Sequence, residues 1–317
     1  VQAGMTPSVS IVIASHRGDY IARCLQAFGE ATWGSLSAEI IVVADYPIEE
    51  LSRQFPAVTW LFLPDRSISA KRNRGVVAAK ADVIGFIDDD CRALEGWIEK
   101  AASFLEHNPD AAGVEGLTVI ETPDKLQPSF SQFKRLEKHG YRSNNMFYRR
   151  RIFVEAGMFD ERFTVQREDI DLAFTILERG HRIGYDEEVK VVHAFRPNEK
   201  WDLLKNCVNR RFDPLLYRKH PGLYRKHIRS PFTPSIGLLL FCYCVTAAWA
   251  ALRMPALPVL VGLNLCTIAV VTARRAGSAA TGVVQWLREY LSYALSPVVL
   301  LGALLYGNAR FRAALFI

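Results

Sequence analysis

Apolar residues fall along this chain in two different rhythms. Through the first 195 residues, short apolar runs alternate with amphipathic stretches. "VSIVIA" at 9–14, "EIIVVAD" at 39–45, "VTWLFLP" at 58–64 and "DVIGFID" at 82–88 each read as buried strands. Between them, Tyr20, Ile21, Cys24, Leu25 and Phe28 recur at helical spacing, residues 47–54 fit a short helix, and "SISAKRNRGVVAAK" at 67–80 fits a longer one. Residues 94–106 predict another helix, stopped near Asn108 and Pro109. Strands alternating with helices predict βαβ units, hence an α/β fold on a mostly parallel sheet. Sheets of this kind bind ligands beyond the carboxyl ends of their strands, where Asp45 and the run Asp88, Asp89, Asp90 fall. Further along, a short helix is expected near 150–156, a helix from about Ile170 with Gly180 at C′, and a strand "EEVKVVHAF" ending at His193.

Past residue 229 the rhythm changes. Ser230 to Leu252, Met254 to Ala273 and Tyr290 to Ala309 carry no charged residue, and each is long enough to cross a hydrocarbon core of roughly 30 Å as a helix. Two or three spans are expected, with Pro255, Pro258, Gly262 and Pro297 tolerated where neighbours satisfy the backbone. "GVVQWLRE", within 276–289, reads as an interfacial helix with Trp286 at the headgroups. The chain thus divides into an α/β domain over 1–195, a segment over 196–229 and an α-helical membrane region over 230–317.

Charge sharpens that division. The 317-residue chain carries +6 overall, yet residues 196–229 alone hold ten Lys or Arg against three Asp or Glu. A basic segment leading into apolar helices fits a juxtamembrane stretch on the cytoplasmic side, attracted to anionic membrane lipid. Nucleic acid is the weaker reading of the same charge, and no nucleic-acid partner is expected. Six scattered cysteines form no CxxC pair and read as small buried hydrophobes. "VQAGM" at the start reads as a short leader or cloning remnant, without a signal peptide.

The candidate chemistry sits at the strand ends. Three aspartates after an apolar strand repel one another unless a cation cancels them. Two carboxylates spaced by one residue suit a hard divalent ion, Mg²⁺ or Mn²⁺, bridged to a diphosphate. The plainer alternative is an acidic turn capping the next helix. Asp45 could accept from a pyrimidine imide or simply cap the helix at 47. Lys71, Arg72 and Arg74 stand at the head of a helix, where cations are disfavoured, so an anionic ligand nearby would explain them; a solvated basic face is the alternative. "REDID" at 167–171 opens a helix with acids the dipole favours; its functional reading is Asp169 as general base tuned by Glu168 or Arg167. His193, at a strand end, is a structural histidine alone and a third metal ligand beside an aspartate pair.

Taken in order, "SIVIASHRGDYIARCL", "IIVVAD", "SAKRNRG", "IGFIDDD", "NNMFYRRRIFVEAGMFDERF", "REDIDLAFTILERGHRIGY" and "VVH" resemble the family 2 glycosyltransferases of GT-A fold, over about residues 9 to 220. The resemblance implies an inverting, metal-dependent transfer from a nucleotide-sugar donor, UDP or dTDP favoured. Ser15, His16 and Arg17 would form the first nucleotide loop, although the family more often has proline, tyrosine and asparagine there. Asp45 would contact the base, Lys71, Arg72 and Asn73 would lie beside the donor, and Asp89 would touch the ribose. Asp88 and Asp90 match the outer DxD residues and, with His193, would hold Mn²⁺ or Mg²⁺. Asp169, with Glu168, matches the catalytic "ED" motif. Asn144 and Asn145 fall on the acceptor side, and Arg210 and Arg211 would face a diphosphate or lipid phosphate, a basic juxtamembrane face being the equal alternative.

Processive members carry a QxxRW motif after the "ED" helix; here "QFKRL" at 132–136 precedes that helix and lacks the tryptophan. One sugar per encounter is therefore expected, on a lipid-linked polyprenyl or glycan acceptor given the apolar tail. A processive polysaccharide synthase is the alternative among enzymes, and an idle sugar-nucleotide-binding membrane subunit the alternative outside them. A nucleotidyltransferase would need a glycine-rich phosphate loop after the first strand, and "ASHRGDY" is not one.

Overall fold

The computed structural model describes residues 8–16, 18–30, 36–123, 130–196, 200–276 and 282–315. The expected leader at 1–5 and Arg17 lie outside the described residues. The chain forms two compact units, one of residues 1–122 with 132–195 and one of 123–131 with 196–317.

The first unit is built on one eight-stranded sheet in the order β3-β2-β1-β4-β7-β6-β8-β5. Strands β1 (Val9–Ser15), β2 (Ala38–Ala44), β3 (Thr59–Phe62) and β4 (Val83–Ile87) pair in parallel, as βαβ alternation requires. They are joined by helices α1 (Gly18–Glu30), α2 (Glu49–Gln54) and α3 (Ile68–Ala78). The other half is mixed: β7 (Asn145–Arg149) runs antiparallel to β4 and to β6 (Ala111–Ile120), while β6 and β8 (Arg182–His193) are parallel. The short strand β5 (Cys91–Ala93) pairs antiparallel with β8. β5, β6 and β7 escape the sequence pattern, because glycines break "AAGVEGLTVI" and "NMFYR" is short.

Alternation of side chains along each strand gives the sheet two apolar faces. Ile11 and Ile13 point to one, with Ile21, Leu25 and Phe28 of α1 and Trp97 and Ile98 of α4 (Trp97–His107). Val12, Ile41 and Val43 point to the other, with Val76, Phe86, Phe153, Leu172 and Ile176. Helix α3 starts at Ser67, whose side chain accepts from the Ala70 N–H. It lies so close to β1 that a Cβ on Gly75 would sit 2.4 Å from Val12 Cγ1. That approach fixes where its charged residues 71 and 72 reach the strand ends.

Asn145 is not an acceptor-side group but part of this framework. It is fully buried; its amide donates to the Leu117 and Val189 carbonyls and its oxygen accepts from Trp97 Nε1 at 2.8 Å. Those carbonyls flank the register shift where Gly116 pairs with Asp186 but Leu117 pairs with Lys190, so the amide stands in for bonds the bulge removes from the ladder.

The second unit runs through short helices at Asp202–Asn209 and Asp213–Lys219 into three helices, Pro234–Ala251, Leu257–Ala276 and Val283–Phe311, each long and apolar enough to cross a membrane. Pro258 falls in the first turn of its helix, where no N–H is needed. Pro297 lies inside the last, and the Tyr293 carbonyl that its missing N–H would have served accepts from Ser296 Oγ at 2.9 Å instead. Residues 283–289 are the first turns of that 29-residue helix rather than a separate interfacial one; at about 1.5 Å per residue it outruns a core of roughly 30 Å, so its polar first turns extend beyond the span. All six cysteines are free, with Cys24, Cys91 and Cys207 buried but Cys244 and Cys266 exposed on apolar helices.

Replacing Asn145 by leucine orphans a buried indole N–H and two carbonyls, and is expected to lower stability by roughly 3 kcal/mol or more. A denaturant titration in detergent measures this; an unchanged midpoint would show the bulge satisfied some other way.

Candidate active site

The carboxyl ends of β1, β2 and β4, the N-terminus of the helix Glu168–Glu178 and the end of β8 converge on one region of the first unit. At its centre is Arg72. Its Nη2 donates to Asp88 Oδ1 and its Nη1 to Glu168 Oε1, both at 2.8 Å, with the guanidinium 4% exposed and over the Phe159 ring. The planar fork of arginine matches two carboxylates arriving from different elements.

The cations at the head of α3 therefore answer to anions of the protein itself. Lys71 is fully buried, its ammonium on the Ser15 carbonyl at 2.9 Å, on His16 Nδ1 at 2.7 Å and on Asp45 Oδ2 at 3.2 Å. His16 Nδ1 also lies 2.8 Å from that Asp45 oxygen. Burial pushes the Asp45 acid up, but the His16 and Lys71 bonds outweigh it and hold the carboxyl below its ordinary range; burial depresses the Lys71 ammonium against Asp45's pull. Asn73 likewise turns inward, clamping Phe159 N–H and carbonyl and the Glu161 carboxylate. Lys71 and Asn73 thus have partners within the protein itself.

The three aspartates take three directions. Asp88 is on Arg72. Asp89 accepts from Ser15 Oγ at 2.9 Å and from the His16 N–H at 3.0 Å, so its carboxylate pins the first loop; burial raises its pKa against those two bonds. Asp90 turns to His193, with Oδ1 3.5 Å from Nε2. Asp90, Cys91 and His193, all buried, bring ligand atoms within 4.8 Å of one another. Asp88 is not in that group, because Arg72 draws it away.

Two members of the group, Asp90 and His193, suit a divalent cation. His193 Nδ1 is 2.8 Å from the Ala194 carbonyl, an anchor that leaves Nε2 facing Asp90. Burial first, and then the fields of the neighbouring aspartates, push the Cys24 and Cys91 thiols well above their ordinary range. A neutral thiol is a poor ligand for a hard ion, so Asp90 and His193 are the group's better ligands.

Glu168 and Asp169 open onto a cavity of about 420 Å³. Arg72, Asp88, Asn144 and His193 also line it. Burial, then the Asp169 charge, push the Glu168 carboxyl up to about 7 against the pull of Arg72. Burial also raises Asp169, whose Oδ1 accepts from the Ile170 N–H at 2.7 Å. Arg167, just before them, holds a left-handed φ of 78°, a conformation that residues other than glycine adopt rarely. Asn144 donates to Thr118 Oγ1 at 2.9 Å.

Several lining groups were not legible in the sequence. Glu115, 3% exposed on β6, accepts from the backbone N–H groups of Gly140, Tyr141 and Arg142 and lies 2.5 Å from His139 Nδ1. It folds the 139–142 loop around a buried charge and presents Arg142 and Ser143 to the cavity. One acid inside the apolar run "AAGVEGLTVI" was the available signal, since buried glutamates are rare unless paired. Arg210 and Arg211 belong to the second unit. There Arg210 pairs with the buried Asp213 at 3.1 Å, and Arg211 lies over the Phe212 ring.

The family model for glycosyl transferase family 2 matches residues 10–171, and the chain belongs to that family. The glucosyl-dolichyl phosphate glucuronosyltransferase of Haloferax volcanii is 26% identical over 216 residues, covering 58% of this chain and 68% of that one. The glycosyltransferase AglE of the same organism is 21% identical over 208 residues, covering 60% and 68%. Among solved structures, the mannosyltransferase PcManGT of Pyrobaculum calidifontis, in complex with GDP-Man and Mn²⁺, matches 96% of this chain and 88% of its own with a TM-score of 0.54 at 16% identity. GalNAc-T7 with UDP, GalNAc and Mn²⁺ matches 69% of this chain at a TM-score of 0.50 and 15% identity. The chain spans about half of that structure, 51%. The fold is GT-A, followed by a helical region, and the protein is a glycosyltransferase.

Because Glu168 binds its proton more tightly folded than unfolded, stability is greatest while it stays protonated and falls as pH rises from its ordinary 4.5 through about 7. Asp169 adds a slope of the same sign. Thermal unfolding across that window should show the decline, and Glu168→Gln should make it shallower. A variant with the wild-type slope would remove Glu168 from the account.

Proposed function

We propose that the protein moves one sugar from a nucleoside-diphosphate sugar to a hydroxyl of a lipid-linked acceptor at the membrane surface, with inversion and with a divalent metal, in glycan assembly. The observation that carries this is the shared cavity, which brings the Asp169–Glu168 pair, the Arg72–Asp88 bridge and His193 onto one space.

Asp169 is the general base. Its raised proton affinity suits it to take a proton near neutral pH, and the Ile170 N–H fixes one oxygen, leaving the other to receive it. The acceptor oxygen attacks the anomeric carbon, and its proton passes to Asp169. The bond from that carbon to the donor's phosphate oxygen breaks, and its electron pair leaves with the nucleoside diphosphate. One displacement inverts the anomeric configuration. A positioned base contributes roughly 10²–10⁴-fold. Asp90 and His193 would hold Mn²⁺ or Mg²⁺, which supplies positive charge to the departing diphosphate. Arg72 keeps Asp88 and Glu168 in register through its two hydrogen bonds.

Asp45 at the end of β2 favours UDP or dTDP, while solved relatives hold UDP in one case and GDP-Man in another. A lipid-linked acceptor is supported by the three apolar helices and by a relative named for a glucosyl-dolichyl phosphate. The basic segment before those helices supports a cytoplasmic catalytic unit.

Asp169→Asn should lose transfer by at least about a hundredfold, with donor binding in Mn²⁺ kept within twofold. Nucleotide release from a donor panel and calorimetric titration of the donor read the two arms, and undiminished turnover would sink the base assignment.

A further inference from the structure

Three buried polar atoms have no hydrogen-bond partner among the described residues and belong to side chains lining the one cavity: Ser143 Oγ, Gln166 Nε2 and Glu168 Oε2. An unsatisfied buried donor is costly, so a ligand that satisfies it gains what folding left unmade. Ser143 is 2% exposed. It sits beside Arg142, and Gln166 sits beside Arg167, so two donors come flanked by two guanidiniums. The loop carrying the first pair is set before any ligand arrives, since Glu115 gathers the N–H groups of residues 140–142 and Arg142 Nη1 donates to the Lys138 carbonyl. The second pair is set by the left-handed turn at Arg167 that starts the catalytic helix.

We infer that Arg142, Ser143, Gln166 and Arg167 form an oxyanion subsite beside Asp169 that holds a phosphate ester of the acceptor. Every group named is a hydrogen-bond donor and two are cationic, which is the complement of a phosphate and not of a neutral hydroxyl cluster. Asp169 feels both guanidiniums, which offset part of the burial that raises its pKa. The inference rests on the lipid-linked acceptor reading and gives that acceptor's head its chemistry. In the proposed function the donor's diphosphate would lie toward Asp90 and His193, where the metal would be held. Glu168 Oε2, an acceptor atom, is left for the attacked sugar's hydroxyl groups.

The full chain in detergent, with UDP and Mn²⁺ present, is titrated with geranyl phosphate, geraniol and inorganic phosphate. Geranyl phosphate should bind at least about tenfold more tightly than geraniol, since charge-assisted hydrogen bonds are the stronger ones. Ser143→Ala and Gln166→Glu should each weaken that binding at least about tenfold while UDP binding stays within twofold. Gln166→Glu keeps the shape and turns a donor into an acceptor. Ser143→Ala removes no bond, so its melting temperature should equal or exceed that of wild type, which separates lost binding from lost folding. Inorganic phosphate competing at the same residues would make the anion alone sufficient; its failure to compete would assign the site to a lipid headgroup. Equal binding of geraniol and geranyl phosphate, or wild-type phosphate affinity in both variants, overturns the subsite. Asp169→Asn in the same titration keeps the two readings apart: phosphate binding retained with transfer lost supports both, whereas transfer retained overturns the base and leaves the subsite to be judged on binding.

Discussion

A single buried guanidinium holds the catalytic unit in register. Arg72 comes from a helix between β3 and β4, Asp88 from the end of β4, and Glu168, 96 residues after Arg72, from the start of another helix. Removing one partner from a buried ion network costs about 3–5 kcal/mol, because the remaining charges are stranded. Here a charge would be stranded at either end of the site. The fork also decides the division of labour among the aspartates. With Asp88 on Arg72 and Asp89 on Ser15 and His16, Asp90 is the carboxylate that meets His193. Three adjacent like charges become tolerable because each is handed to a different partner.

That solution explains how much of the site was legible in the sequence. Asp45, the aspartate run, Asp169 and His193 stood out because charge at the end of an apolar run is locally anomalous, and strand ends are where such a sheet places its chemistry. The parallel half of the sheet was legible for the same local reason. What each charge touches was not. Lys71 and Arg72 signalled an anion nearby, but whether that anion is a ligand or a carboxylate of the protein depends on residues remote in sequence. Asn145 looked like its neighbour Asn144; only the bulge between β6 and β8 separates a buried bridging amide from a cavity-lining one. Pairing of β6 and β7 was hidden because a glycine-broken run has no clear period.

The second unit shows different physics. Its long helices leave apolar side chains outward, Phe241 at 66% exposed and Val259 at 61%, which suits lipid rather than water. Polar groups within it find partners close by. Asn264 bonds Thr246 between two helices at 2.8 Å, and Tyr243 reaches the Ala294 carbonyl at 2.9 Å. Ser296 repairs the gap that Pro297 leaves. In hydrocarbon no water can do that work, so such bonds must be internal.

Set beside that, the unsatisfied atoms of the first unit carry meaning. A chain that supplies a hydroxyl to mend one proline gap also leaves Ser143 Oγ and Gln166 Nε2 without hydrogen-bond partners among the described residues, in a cavity lined by charged side chains. Stability alone would replace those side chains with apolar ones of the same shape. Two unmet donors in one cavity suit a site complementary to a ligand, in which binding recovers what folding forgoes. The same logic runs through the raised proton affinities of Glu168 and Asp169, both caused first by burial. A catalytic carboxylate in water would cost the fold less and hold a proton too weakly to act as a base near neutral pH.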